Sequence, residues 1–386
     1  MSSLFALLSL ATVAFGARPF LSYADTGIDV ALSGVPNGTL PDLSEMKALN
    51  DFEWVAERNL NESSWAFYRA GAGGEWSYRN NLESYGRLRF RPRVLTDITQ
   101  IEQNMNTTLF GHTFSAPFFM SPFGRAGYAH ADAELNLVKA AAEENILYVA
   151  SMHATKTLDE IASAKAEGQI TGHQFYNEGT DEDTLAYFQQ VEAAGGKAIF
   201  FTVDSAGDGN RHRAARWSVT SSDSGYTYAT WDYYKHLQNL TSLPIIPKGI
   251  QTVEDAKLAI AYGAPAIFLS NHGARQLDHV PSSLEVALEI HEESPDIFQQ
   301  IDVFADGGVR YGSDVLKLMA LGVKAVGAAR PFAFANIYGV DGVKKALQML
   351  KHEIAIDCSN MGLNDVHSIN SSYIKLNNPI WNGWYS

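Results

Sequence analysis

The chain of 386 residues reads as an α/β protein: a TIM (β/α)8 barrel with an N-terminal helical extension and a lid loop after the fourth strand. Three observations carry that reading. Short apolar runs of β-forming character recur at 116–121, 147–151, 172–175, 198–203, 244–247, 266–269, 303–305 and 325–328. Between them lie stretches of helical periodicity at 131–145, 157–167, 181–194, 252–262, 282–293 and 313–321. Strands that alternate with helices in this way close into a parallel barrel. An open doubly wound sheet would use fewer strands and, for a dinucleotide, a G-x-G-x-x-G turn after the first, and neither is present.

Residues 1–17 read as a signal peptide. The apolar stretch at 4–15 closes on Ala14, Gly16 and Ala17, small residues that suit a cleavage site, ahead of Arg18. The stretch is too short to span a bilayer, and no later segment is long and apolar enough. A frayed apolar helix is the alternative, since the first three residues carry no cation. Glycosylation sequons at Asn37, Asn61, Asn106, Asn239 and Asn370 agree with the secretory route, so a secreted glycoprotein, or one held in the secretory lumen, is expected.

Residues 18–110 then form the helical extension and barrel entry, with short helices at 43–54 and 63–72 over one barrel end. The barrel occupies 111–350, and a tail follows over 351–386. The single cysteine, Cys358, excludes an intrachain disulfide and a thiolate metal cluster, and no metal site is expected. With 46% hydrophobic and 19% charged residues the composition is that of an ordinary globular enzyme. A net charge of −14 argues against nucleic acid and anionic membranes as partners, because both need a basic surface.

A barrel gathers the polar residues at the C-terminal ends of its strands around one mouth. The run 266–269 is followed by Ser270-Asn271-His272-Gly273-Ala274-Arg275-Gln276. There a histidine and an arginine three apart can address one small anion, the guanidinium holding a carboxylate while the imidazole takes a proton. A loop histidine beside a surface arginine is the plainer alternative. Lys248 stands at another strand end, where its cation can face a developing anion, although a solvated loop lysine is the commoner case. Asp204 ends the fourth run and can orient His272, as buried acids do for catalytic imidazoles. Seven residues on, in the long loop 204–230, Arg211 offers a second carboxylate clamp or a solvated charge. The turns Asp306-Gly307-Gly308-Val309-Arg310 and Gly327-Ala328-Ala329-Arg330-Pro331 follow the last two runs, where a barrel binds phosphate through backbone N–H groups and arginine.

These residues resemble the FMN-dependent 2-hydroxy acid oxidases and dehydrogenases, the group of glycolate oxidase, lactate oxidase, lactate monooxygenase and mandelate dehydrogenase. The likeness runs from about residue 65 to 338. SNHGARQLD at 270–278 is its specific signature, supported by FRPRVLTDI at 90–98, TVDS at 202–205 and ADGGVRYGSDVLKLMALGVKAVGAARPF at 305–332. The resemblance implies FMN as cofactor and oxidation of a 2-hydroxy acid to the 2-oxo acid, with O2 or another acceptor reoxidising the flavin. It implies His272 as base, Asp204 as its partner and Tyr176 at the substrate hydroxyl, with Arg275 and Arg211 on the carboxylate. Ser151, Gln174, Thr202 and Lys248 would face the flavin ring, and Asp306, Arg310 and Arg330 the ribityl phosphate. Gly124, Ser270, Gly307, Gly308 and Ala329 complete the cofactor set. Relatives are often tetramers or octamers, which by analogy implies a homo-oligomer.

The sequence also departs from that family. Phe67 stands where a tyrosine usually donates to the substrate carboxylate, unless neighbouring Tyr68 replaces it, and His153 stands where relatives carry an aromatic residue that shapes the pocket. The lid loop is shorter than in glycolate oxidase, and Ala329 replaces a glycine of the phosphate turn. Gly124 lies where oxidases commonly have alanine and lactate monooxygenase has glycine. Two further readings stand beside the first: an FMN enzyme of secondary metabolism acting on a tailored hydroxy acid or alcohol, and a secreted binding protein on a retired barrel. The latter would have lost His272, Arg275, Lys248, Asp204 or Arg330, and all are present.

Overall fold

The computed structural model describes residues 26–219 and 226–375. The segment 1–17 expected to be a signal peptide, positions 220–225 of the expected lid loop and the end of the C-terminal tail lie outside the described residues. Eight parallel strands close into a barrel in sequence order. They are β1 (Phe118–Met120), β2 (Leu147–Ala150), β3 (Thr171–Phe175), β4 (Gly196–Thr202), β5 (Ile245–Ile250), β6 (Ala266–Leu269), β7 (Asp302–Ala305) and β8 (Ala325–Ala328). All eight expected runs become these strands, and every one is buried or nearly so, as a parallel sheet covered on its outside requires.

Phe119, Phe200, Phe268 and Phe304 meet inside the barrel, with neighbouring ring centroids 5.5–6.4 Å apart. Phe110 adds its ring to this cluster from the turn of the antiparallel ribbon Thr107–Leu109/His112–Phe114. Because aromatic rings fill the barrel below them, the polar strand ends have only the C-terminal mouth to open into.

The helices over the extension and barrel are α1 (Leu49–Asn59), α2 (Glu62–Arg69), α3 (Trp76–Arg87), α4 (Glu134–Glu143), α5 (Leu158–Ser163), α6 (Asp181–Ala193), α7 (His212–Arg216), α8 (Trp231–Leu237), α9 (Val253–Ala261), α10 (Ser283–Glu293), α11 (Gly312–Leu321), α12 (Arg330–Ala335) and α13 (Gly339–Met361). Sequence patterning places the starts of α5, α6, α9 and α10 well, because each has a Ser or Thr cap accepting from the third backbone N–H: Thr157, Thr180, Thr252 and Ser282.

Two expectations are corrected, and one helix was not expected at all. The helix expected at 43–54 is a 3-10 turn, Leu43–Glu45, followed by α1; the carboxylate of Asp51 accepts from the backbone N–H groups of Lys47 and Ala48 and starts α1 afresh. Helix α3 has no counterpart in the sequence reading. Its inward side is built from Ser77, Asn80, Asn81, Ser84, Tyr78 and Tyr85, all buried, so it lacks the apolar stripe by which an amphipathic helix is read. The barrel does not end at 350, because α13 runs unbroken from Gly339 to Met361 and packs against α4 and α11.

Candidate active site

At the mouth a cleft with about 960 Å³ of empty space, open to solvent, is lined by residues from the C-terminal end of, or the loop following, every barrel strand. It brings together Gly124, Ser151, His153, Gln174, Tyr176, Thr202, Arg211, Lys248, His272, Arg275, Asp306, Gly307, Gly308, Arg310, Ala329 and Arg330. Asp204 and Ser270 do not line it; both stand behind residues that do.

The loop after β6 carries the reactive imidazole. His272, Gly273 and Ala274 have φ of 59°, 63° and 62°, three successive left-handed residues that only a strongly held loop sustains. Ser270 Oγ accepts from His272 N at 3.1 Å and donates to Asp306 at 2.6 Å, and Asn271 Oδ1 accepts from Ala274 N at 3.0 Å. The turn aims His272 between two partners. Its Nδ1 lies 2.9 Å from Asp204 Oδ1, whose side chain is fully buried, and its Nε2 lies 3.3 Å from the Tyr176 hydroxyl. The carboxylate assigns the proton to Nδ1, which leaves the Nε2 lone pair toward the cleft as a proton acceptor.

Two guanidiniums stand beside it. Arg275 donates to the carbonyls of Phe67 and Ala70 at 2.5 and 3.4 Å and lies 4.9 Å from the Phe67 ring. Arg211, buried, donates from Nε to Arg275 O at 2.8 Å and from its terminal nitrogen to Gln276. Phe67 and Tyr68 both line the cleft, but the Tyr68 hydroxyl donates to Arg125 O at 2.7 Å. Tyr68 therefore does not replace the hydroxyl missing at Phe67. His153 stacks on Tyr176 with rings 4.9 Å apart and pairs with Glu178 at 2.9 Å, giving the wall a charged edge that sequence reading did not find. A Cβ on Gly124 would stand 2.9 Å from His153 O, so the glycine fits the loop that carries His153.

The deeper half of the cleft suits a flavin ring and a phosphate. Gln174 Oε1 accepts from Ser151 Oγ and Met152 N, and Nε2 donates to Thr202 Oγ1 at 2.9 Å. This fixes the amide orientation. Lys248, buried, donates to Ser270 Oγ at 3.0 Å and lies 3.8 Å from Asp306. Near β8, Arg330 donates only to carbonyls, those of Tyr68, Gly273 and Ala70 at 2.8–2.9 Å. Burial pushes Arg330 down to about 10, and the nearby Arg310 and Arg69 cations add to that. A buried guanidinium with N–H bonds to spare, among other cations, is the donor set that a phosphate dianion satisfies.

Sequence reasoning missed the residues that hold these groups. Glu53 of α1 pairs with Arg310 at 3.3 Å. Asn81 of α3 exchanges two hydrogen bonds with Asn271, at 2.8 and 2.7 Å. Gly308, at φ 79°, lies so close to α3 that a Cβ would overlap Asn81 O at 1.9 Å. Such pairings across about 190–260 positions of sequence have no local signal.

A parallel barrel whose mouth joins an imidazole–carboxylate dyad to arginines and a phosphate-type cation cluster is the scaffold of a flavin oxidoreductase acting on small acids. The chain belongs to the FMN-dependent dehydrogenase family, whose profile matches residues 56–229 and 220–376. It is 35% identical over 351 residues to mouse 2-hydroxyacid oxidase 2, covering 85% of this chain and 98% of that protein. Spinach glycolate oxidase is 32% identical over 370 residues, covering 88% of this chain and 97% of that one. A cytochrome-type L-lactate dehydrogenase of Wickerhamomyces anomalus is 34% identical over 353 residues; the match takes in 85% of this chain but only 61% of that protein's length. Among solved structures, the flavin-binding domain of baker's yeast flavocytochrome b2 superposes with a TM-score of 0.84 at 30% identity, covering 94% of this chain and 98% of that one. Mandelate oxidase superposes with a TM-score of 0.79 at 31% identity, covering 86% and 98%. The chain is thus an FMN-dependent oxidoreductase acting on CH–OH donors, of the (S)-2-hydroxy-acid oxidase and dehydrogenase group.

Proposed function

We propose that the chain oxidises a 2-hydroxy acid with a polar or extended side chain to its 2-oxo acid and passes the electrons to O2. The observation that carries the reading is the His272–Asp204 dyad opening onto a cleft that Arg275 and Arg211 also line. The two guanidiniums bind the substrate carboxylate, and their fork geometry orients it. The hydroxyl then lies at His272 Nε2 and Tyr176. His272 accepts the hydroxyl proton, and Asp204 stabilises the imidazolium that forms. The C2–H bond breaks as the C2=O bond forms, and a bound FMN would supply the acceptor for that hydrogen together with its two electrons, one hydride equivalent. Lys248, Gln174, Thr202 and Ser151 would hold the flavin ring, and Arg330 and Arg310 its phosphate.

The side-chain preference rests on two residues that line the cleft, Phe67, which brings no hydroxyl, and His153, which pairs with Glu178. The same features favour the second reading, a tailored hydroxy acid of secondary metabolism. Secretion and glycosylation belong to the proposal too: Asn37, Asn61, Asn106, Asn239 and Asn370 are all exposed. So does assembly as a homotetramer or octamer, by analogy with relatives.

An anaerobic absorbance titration with 2-hydroxy acids tests the reading, followed by admission of air and a peroxide assay. Bleaching of the flavin by one of them, with peroxide on reoxidation, is the expected result. A yellow protein that no hydroxy acid bleaches would overturn the substrate class, and reoxidation without peroxide would overturn the oxidase.

A further inference from the structure

Ahead of α3 the backbone takes an unusual path. Glu75 has φ 60°, a left-handed conformation that favours glycine and strains other residues. Its carboxylate is buried and fully engaged: Arg213 donates to it twice, from Nε at 2.9 Å and a terminal nitrogen at 2.8 Å, Gly71 N donates at 3.1 Å, and Arg69 lies 3.4 Å away. Strain kept beside a site points to a role there.

The surrounding segment joins the two loops that carry the substrate arginines. On one side Ala72 N donates to Ala274 O at 2.8 Å, and Asp278 accepts from Gly74, Trp76 and Ser77 at 2.8–3.3 Å. On the other side Gly73 N donates to Asn210 O at 2.9 Å, and Glu75 holds Arg213. Arg211 therefore lies between two fastenings to the same short stretch, one residue after Asn210 and two before Arg213.

We propose that Glu75 is a positioning residue for substrate binding: through Arg213 it pins the lid loop to the N-terminal extension and so fixes the guanidinium of Arg211 relative to that of Arg275. The proposal rests on the reading of those arginines as the carboxylate clamp. Glu75 does not line the cleft, so its loss acts on affinity for the acid more than on the chemical step.

The test uses the FMN-loaded full chain. Glyoxylate, pyruvate and benzoylformate are titrated against the flavin absorbance of the wild type, Glu75→Gln, Arg213→Met and the double variant, with thermal midpoints alongside. The expected result is about tenfold weaker 2-oxo acid binding in each single variant and little further loss in the double, because both break one contact. KM should rise while kcat changes little, and Arg213→Lys should restore part of the affinity. Unchanged affinity in Glu75→Gln, even with a lowered midpoint, overturns the proposal and leaves a purely structural brace. Arg213 is half-exposed, so Arg213→Met decides the matter should Glu75→Gln fail to fold. A wild type that binds none of the three acids overturns the carboxylate clamp itself, and this inference with it.

Discussion

Arg275 illustrates how much depends on one planar group. Its guanidinium is held by the Phe67 and Ala70 carbonyls and lies against the Phe67 ring, so both its plane and its height above the cleft floor are set. A lysine would keep the charge and lose the fork. Arg275→Lys should therefore retain bound flavin and lower kcat/KM by about two orders of magnitude, the cost of one bidentate pair. Steady-state kinetics beside the visible spectrum checks this, and unaltered kcat/KM would remove Arg275 from the clamp. The identity of His272 and Arg275 as partners is legible in the sequence, since they share one turn after one strand. Glu178, which pairs with His153, is not legible in that way: it lies 25 positions away on the loop after the next strand, and only the barrel brings the two together.

At the scale of elements, the start of α11 is tied by two acids. Asp314 accepts from the backbone N–H groups of Arg310 and Tyr311 at 2.9 and 3.0 Å, and Glu353 of α13 accepts from Gly312 at 2.8 Å. Burial pushes Asp314 up to about 6 and Glu353 up to about 7. The native state thus keeps protons that the unfolded chain has released at its ordinary carboxylate values. Stability contributed by these groups is present at low pH and declines as pH rises from about 4 to about 7. Glu353→Gln, which cannot ionise, should flatten that decline. Chemical denaturation at a series of pH values reads the slope, and an unaltered slope would show that Glu353 does not carry it. The helices with Ser/Thr caps and apolar stripes are legible; α3 is not, because its buried side is polar and is held by partners distant in sequence, Asn271 and Glu285 among them.

For the whole molecule, the sequons fall on exposed residues around the barrel's periphery, and none belongs to the cleft. Expression in a secreting eukaryotic host should yield protein in the medium whose electrophoretic mobility increases after peptide N-glycosidase treatment. Protein retained in the cytosol without any mobility change would overturn the secretory reading. Among the described residues no helix is long and apolar enough to cross a membrane.

Fold class and chemistry are written locally in this chain. Most strands are runs of apolar β-formers, the reactive residues lie at or after the strand ends, and the geometry of a closed barrel does the rest by gathering those ends at one mouth. The sequence by itself therefore determined the barrel and the dyad, and its family resemblance the flavin. What only the tertiary structure decided is how these groups are held: that the Tyr68 hydroxyl is committed to Arg125 O, that Asp204 and Ser270 stand behind the residues lining the cleft, that α3 braces the phosphate turn, and that Glu75 fastens the lid loop. Those contacts are polar and join positions tens to hundreds of residues apart. Periodicity reports which face of an element is apolar, and it is silent on which buried polar group finds which partner.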